Sequence, residues 1–178
     1  MKSASMLLVV VCLVAPGFAR AQSAEADLAT VFNYIQYDDM LSSAGQIPYD
    51  QVASLRQAGF EVVINLAPVS ESANALEGFL VVQEGLTFLN IPVSFREPSL
   101  QDLTVFFDMM KVNEGRRTFV HCAANMRATV FTYLYRTLVQ GVDEASARAD
   151  METIWDPNGS PAWAALIEKA QAEFGAGR

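Results

Sequence analysis

Histidine occurs once in this chain, cysteine twice, and basic residues number 12 against 20 acidic ones. A lone histidine, His121, with no paired cysteines argues against a zinc site, which takes four N, S or O ligands in close array. The shortage of positive charge, a net −8, argues against nucleic acid and against acidic membrane surfaces, because an acidic body has no sequence-independent attraction to either. No cofactor is implied by any motif. Internal repeats, low-complexity tracts and linker-like stretches are also missing, so 178 residues read as one domain with room for a proper core.

Long apolar runs are equally scarce. Met6 to Val14, following the positive Lys2, is too short to span a bilayer, which takes about 20 residues, so no stable membrane insertion is expected. With the small-x-small triplet Ala19-Arg20-Ala21 it has the form of a signal peptide, residues 1–21, cut before Gln22. The expectation is an exported protein, periplasmic or secreted. Cys12 is preceded by Val11 rather than a small residue, against a lipoprotein. Cleavage would remove Lys2 and Arg20 and no acid, taking the net charge from −8 to −10, so an anionic ligand would have to be gathered locally. It would also remove Cys12. The remaining Cys122 cannot form a disulfide within the mature chain, and an odd thiol in an exported protein is a candidate for chemistry.

The stretch around that thiol supports the chemistry. Thr118 to Val120 favour a strand, His121-Cys122 follow, Ala123 to Met126 make a turn, and Arg127 leads into a long apolar segment with helical character. A cysteine between a strand and a helix faces free N–H groups and the positive end of the helix dipole, which favour a thiolate. Arg127 adds a fixed charge and a planar fork of donors suited to a tetrahedral oxyanion. Asn125 is one of the few residues that tolerate a left-handed backbone where a tight anion-binding turn needs it.

Taken in order, residues 22–30 are small, polar and aperiodic, and read as a flexible leader to a domain over 31–178. Phe32 to Tyr37 alternates as a first strand, and Ser42 to Gln46 reads as a loop by composition. Pro48 opens a helix that carries Val52 and Leu55 inward and ends at Gly59. Glu61 to Leu66 is a buried parallel strand. Leu76, Phe79, Leu80 and Gln83 make a short helix ending near Gly85, and Thr87 to Ile91 is the next strand, stopped by Pro92. Ser99 opens an amphipathic helix over Leu103, Phe106, Phe107 and Met110, with Asp102 placed for capping. After the reactive loop come a buried helix over 128–140 and two more helices, one from Asp143 to about Trp155 and one from Pro161 with Trp163, Leu166, Ile167, Ala170 and Phe174 along one face. Strands alternating with helices specify an α/β fold with a mostly parallel central sheet, its reactive loop at the carboxyl end of a strand.

The His121-Cys122 to Arg127 segment resembles the active-site loop of the cysteine-dependent phosphatases, the protein tyrosine and dual-specificity group, whose pattern is His-Cys, five residues, Arg, Ser or Thr. Here four residues separate Cys122 from Arg127. That spacing is found in a bacterial subgroup, the phosphatase-like domain of the beta-lactamase-hydrolase-like family, and also in rhodanese-type sulfurtransferases. Asn33-Tyr34-Ile35, Ser43-Ala44-Gly45-Gln46, the Gly59 to Leu66 segment and Ile91-Pro92-Val93 look like the bacterial subgroup in the same order.

The resemblance implies hydrolysis of phosphate monoesters, phosphotyrosine among them, on a phosphorylated small molecule or phosphoprotein. Cys122 would be the nucleophile of a phosphocysteine mechanism. The N–H groups of Ala123, Ala124, Asn125 and Met126, with Arg127, would hold the oxyanion, and His121 would buttress the loop. The hydroxyl of Thr129, which is displaced by Ala128 from the place directly after the arginine, would either support the cysteine sulfur or bond to its own helix. The general acid of such enzymes is an aspartate on a separate loop, and Phe95 stands at its place. Glu97 on that loop is the expected substitute, ahead of Asp102 and Glu71. Two alternatives stay open: a sulfurtransferase with a Cys122 persulfide, and a non-catalytic oxyanion or phospho-ligand binding protein, which Phe95 favours.

Overall fold

The computed structural model describes residues 16–70 and 73–175. The predicted apolar segment Met6 to Val14 and Glu71 lie outside the described residues. Five strands, β1 (Ile35–Gln36), β2 (Leu41–Ala44), β3 (Val62–Asn65), β4 (Thr87–Asn90) and β5 (Thr118–His121), form one sheet in the order β1-β2-β5-β3-β4. All neighbours are parallel except β1 and β2. β5 is central, so its carboxyl end is walled by strands on both sides.

Seven helices cover the sheet: α1 (Pro16–Leu28), α2 (Val52–Gln57), α3 (Glu77–Gln83), α4 (Leu100–Val112), α5 (Met126–Leu138), α6 (Glu144–Glu152) and α7 (Pro161–Gly175). The α/β architecture read from alternating patterns is the one observed. β3 and β5 are buried at every position, so alternate side chains enter two separate cores. Val62, Ile64, Val120 and Cys122 join the core under α4 to α7, whereas Val63 and Phe119 join the core under α1 to α3. α5 is the most enclosed helix, with Ala128 through Thr137 buried. No helix among the described residues is long and apolar enough to cross a membrane.

Three elements differ from the sequence expectation. Residues 22–30 are no flexible leader, because their first seven residues complete α1, which buries Ala24 and Leu28. The helix is fixed to the body by polar contacts, Glu25 to Arg117 at 2.7 Å and Asp27 to Ser54 at 2.5 Å. β2 occupies part of the expected loop. Ser42 and Ser43 are fully buried there, their hydroxyls paired with Tyr34 at 3.1 Å and Tyr37 at 2.8 Å, which removes the cost of burying them unsatisfied. The expected first strand shrinks to the two residues of β1.

Candidate active site

Cys122 directly follows β5 and is 1% exposed. Its N–H reaches Ala44 O at 3.3 Å, and His121 O accepts from Leu66 N at 2.8 Å, so both flanking strands hold the approach to the loop. Asn125 is the N-cap of α5, with φ 63° and ψ −3°, the left-handed conformation expected of it. Its side chain donates to Asn33 O at 2.6 Å, while Asn33 Nδ2 donates to Ala124 O at 3.0 Å. Asn33 is itself left-handed, with φ 56°. Two asparagines thus clamp the loop to the lead-in of β1.

The remaining loop carbonyls are also occupied. Gln46 N donates to Ala123 O at 3.1 Å, Thr129 N to Asn125 O at 2.9 Å, and Trp155 Nε1 to Met126 O at 3.0 Å. The N–H groups of Ala123, Ala124, Met126 and Arg127, by contrast, have no acceptor among the described residues. With its carbonyls taken by the scaffold, the loop is left presenting donors, which is the polarity of an anion cradle. Gly45 is required by the close approach of β2. A Cβ there would lie 2.9 Å from Phe32 O and 3.2 Å from Ala123 O.

Arg127 is half-buried and forms no salt bridge among the described residues. Its guanidinium carbon stands 5.5 Å from the centre of the Phe95 ring, a cation–π distance. Phe95 is wedged against Trp155 and Trp163, with ring centres at 5.8 and 5.7 Å, and Trp163 Nε1 donates to Phe95 O at 2.9 Å. The two tryptophans therefore build the wall of the site, one holding the anion loop and one holding the loop that carries Phe95. Sequence reasoning had Trp163 only as a packing residue of α7 and gave Trp155 no role.

His121 is fully buried on the opposite face of the sheet from Cys122, its ring 5.9 Å from that of Phe119. Its Nε2 lies 2.8 Å from Glu77 Oε1, in contact though not aligned as a hydrogen bond, and Nδ1 has no hydrogen-bond partner. Glu77, in the first turn of α3, is also fully buried. It accepts from Asn65 Nδ2 at 2.7 Å and from Gln46 Nε2 at 3.2 Å. Glu77 carries no local sequence signal, because an acid inside a short helix otherwise reads as a solvated face.

Three further site residues are placed as follows. Thr129 is buried and its hydroxyl donates to Met126 O at 3.2 Å, so it serves its own helix. Asp102 lies in the first turn of α4, where its N–H donates to the N-cap Ser99 Oγ at 3.1 Å and its carboxylate accepts from that hydroxyl at 2.8 Å. Glu97 is exposed and lines a cleft of about 410 Å³ with Arg96, Ser99, Ala162 and Lys169, which includes none of residues 121–127. No contact among the described residues joins Glu97 to the loop, and the residue of its segment that faces Arg127 is Phe95.

A DUF442 protein from Shewanella putrefaciens CN-32, a candidate phosphatase, is 35% identical over 84% of this chain and 95% of its own, with a TM-score of 0.74. The chain belongs to the DUF442 family. More distant members of the same fold are TpbA of P. aeruginosa (17% identity, 78% of this chain and 84% of that one, TM-score 0.63) and Tk-PTP (14%, 79% and 97%, 0.63). No family model and no curated protein sequence matches. This DUF442 chain therefore has the fold of the cysteine-dependent phosphatases, in agreement with the resemblance carried by His121, Cys122 and Arg127.

Proposed function

We propose that the protein is an exported cysteine-dependent hydrolase of phosphate monoesters. One observation carries the reading: Cys122 opens a loop whose carbonyls from Ala123 to Met126 are all hydrogen-bonded and which ends at an arginine with no carboxylate partner among the described residues. In the first step the Cys122 thiolate attacks phosphorus, an S–P bond forms, and the ester P–O bond breaks with its electron pair on the leaving oxygen. The loop N–H groups and Arg127 hold the three equatorial oxygens meanwhile. Water then attacks phosphorus, the S–P bond breaks, and phosphate leaves with the thiolate restored. Among fold relatives, TpbA has been crystallised with phosphotyrosine and PTPMT1 with PI(5)P, which supports a phosphorylated ligand of some kind here.

Export is supported by Lys2, the apolar stretch to Val14 and Ala19-Arg20-Ala21. A cut before Gln22 would keep the part of α1 that holds Ala24, Glu25, Asp27 and Leu28, and the protein recovered after export should begin at Gln22. The activity is tested by hydrolysis of an aryl phosphate by wild type, Cys122→Ser and Arg127→Ala. Turnover lost in both variants supports the reading. A folded wild-type protein without turnover refutes it for simple esters and favours the oxyanion-binding reading, for which Phe95 in place of an acid is the specific observation.

A further inference from the structure

A fully buried carboxylate is expensive unless paired, and a buried polar cluster is commonly no more stabilising than apolar side chains that fill the whole of its volume. Glu77 therefore needs an explanation other than stability. Its surroundings supply one. The carboxylate gathers side chains from beside three parallel strands: Gln46 just after β2, Asn65 at the end of β3 and His121 at the end of β5. Two of these adjoin the reactive loop directly and the third braces the strand beside it. Gln46 N holds Ala123 O, His121 directly precedes Cys122, and Asn65 Oδ1 accepts from Ala67 N at 2.7 Å, on either side of Leu66, whose N–H donates to His121 O.

We infer that Glu77 is the positioning residue of the anion loop: by orienting Gln46, Asn65 and His121 beneath Cys122, it sets the spacing of the loop donors. It touches neither substrate nor the sulfur and acts through its three partners. The inference deepens the phosphatase reading and rests on it only for the kinetic part of its test.

Three variants test it, Glu77→Leu, Glu77→Gln and Gln46→Ala, with orthovanadate affinity as a readout that needs no turnover. In Glu77→Leu the melting temperature should fall, because Asn65, Gln46 and His121 lose their partner, and vanadate affinity and kcat on an aryl phosphate, compared at matched folded fraction, should each fall roughly 10- to 100-fold, the scale of a displaced binding group. Glu77→Gln, which keeps an acceptor for one of the two amides, should fall between Leu and wild type. His121 is the only histidine, so imidazole nitrogen NMR reads its state without assignment, and its signals should move in both Glu77 variants. If Glu77→Leu fails to fold, the ordering of Gln46→Ala and Glu77→Gln below wild type in vanadate affinity, at matched folded fraction, carries the same test. Folded variants with wild-type vanadate affinity and unmoved histidine signals would overturn the inference. Wild type that binds vanadate but hydrolyses nothing would overturn the phosphatase reading and leave the positioning role measurable.

Discussion

Asn125 offers a direct measure of how the loop is held. Its backbone at φ 63° is a conformation that costs an ordinary L residue about 1–2 kcal/mol, and asparagine and glycine less. Its side chain adds one hydrogen bond to Asn33 O at 2.6 Å, a net contribution of about 1 kcal/mol; Oδ1 has no partner and nothing is lost with it. Asn125→Gly loses the clamp and gains unfolded-chain entropy of about 0.5 kcal/mol, for a total of roughly 1.5. Asn125→Ala loses the same clamp and meets the full left-handed penalty, for a total of roughly 2.5. The two variants should therefore differ by about 1 kcal/mol, or roughly 0.5 M in the urea midpoint at a typical slope. The glycine variant should also keep more of the vanadate affinity, because its loop can still turn. Equal midpoints, or glycine the worse of the two, would refute the claim that the backbone conformation matters more here than the side chain.

Gly45→Ala should destabilise the protein by about 1–3 kcal/mol and weaken vanadate binding, since its Cβ would press on Phe32 O and Ala123 O; urea unfolding and vanadate titration check this, and an unchanged pair of values contradicts it. If Phe95 leaves the site without a general acid, aryl phosphates should be turned over at least about 10²-fold faster than alkyl phosphates, the usual contribution of such an acid. Equal rates, or loss of alkyl activity alone in Glu71→Gln, would locate an acid elsewhere. At high pH, burial first and the hydrogen bond to Glu144 second push the Tyr133 phenol up to about 12, and burial also raises Tyr34, Tyr37 and Tyr135. A raised phenol favours the folded state below the unfolded value near 10 and loses that contribution as pH climbs toward the folded one. Phenolate absorbance should consequently lag behind free tyrosine above pH 10 and stability should fall over the same range; titration at the free value would contradict it.

The reactive loop was legible because its chemistry is local. His121, Cys122, Asn125 and Arg127 lie within seven positions, and a strand, a turn and a helix are all written in that stretch. The supporting parts were not, since each depends on a distant partner. Ser42 and Ser43 look like loop residues until tyrosine hydroxyls 8 and 6 positions away satisfy them. α1 buries only a narrow stripe, Ala24 and Leu28, too little to give a period. α3 is the clearest reversal. Leu76 and Phe79, two of the residues from which the helix is read, are exposed, whereas Glu77 is inside, because His121, Asn65 and Gln46 provide a polar floor that no local pattern announces. A helix that turns an acid inward beside Val81 while Phe79 and Val82 face outward departs from the rule that patterning follows burial, and such departures concentrate where function is served.

The central claim, a phosphoryl group carried on Cys122, is tested most directly by rapid acid quench of the enzyme with excess aryl phosphate, followed by mass analysis of the peptide containing Cys122. The account predicts that this peptide gains the mass of one phosphoryl group during turnover, loses it once substrate is exhausted, and gains nothing in Cys122→Ser. Steady hydrolysis with an unmodified Cys122, or a gain of one sulfur that cyanide removes, would contradict it.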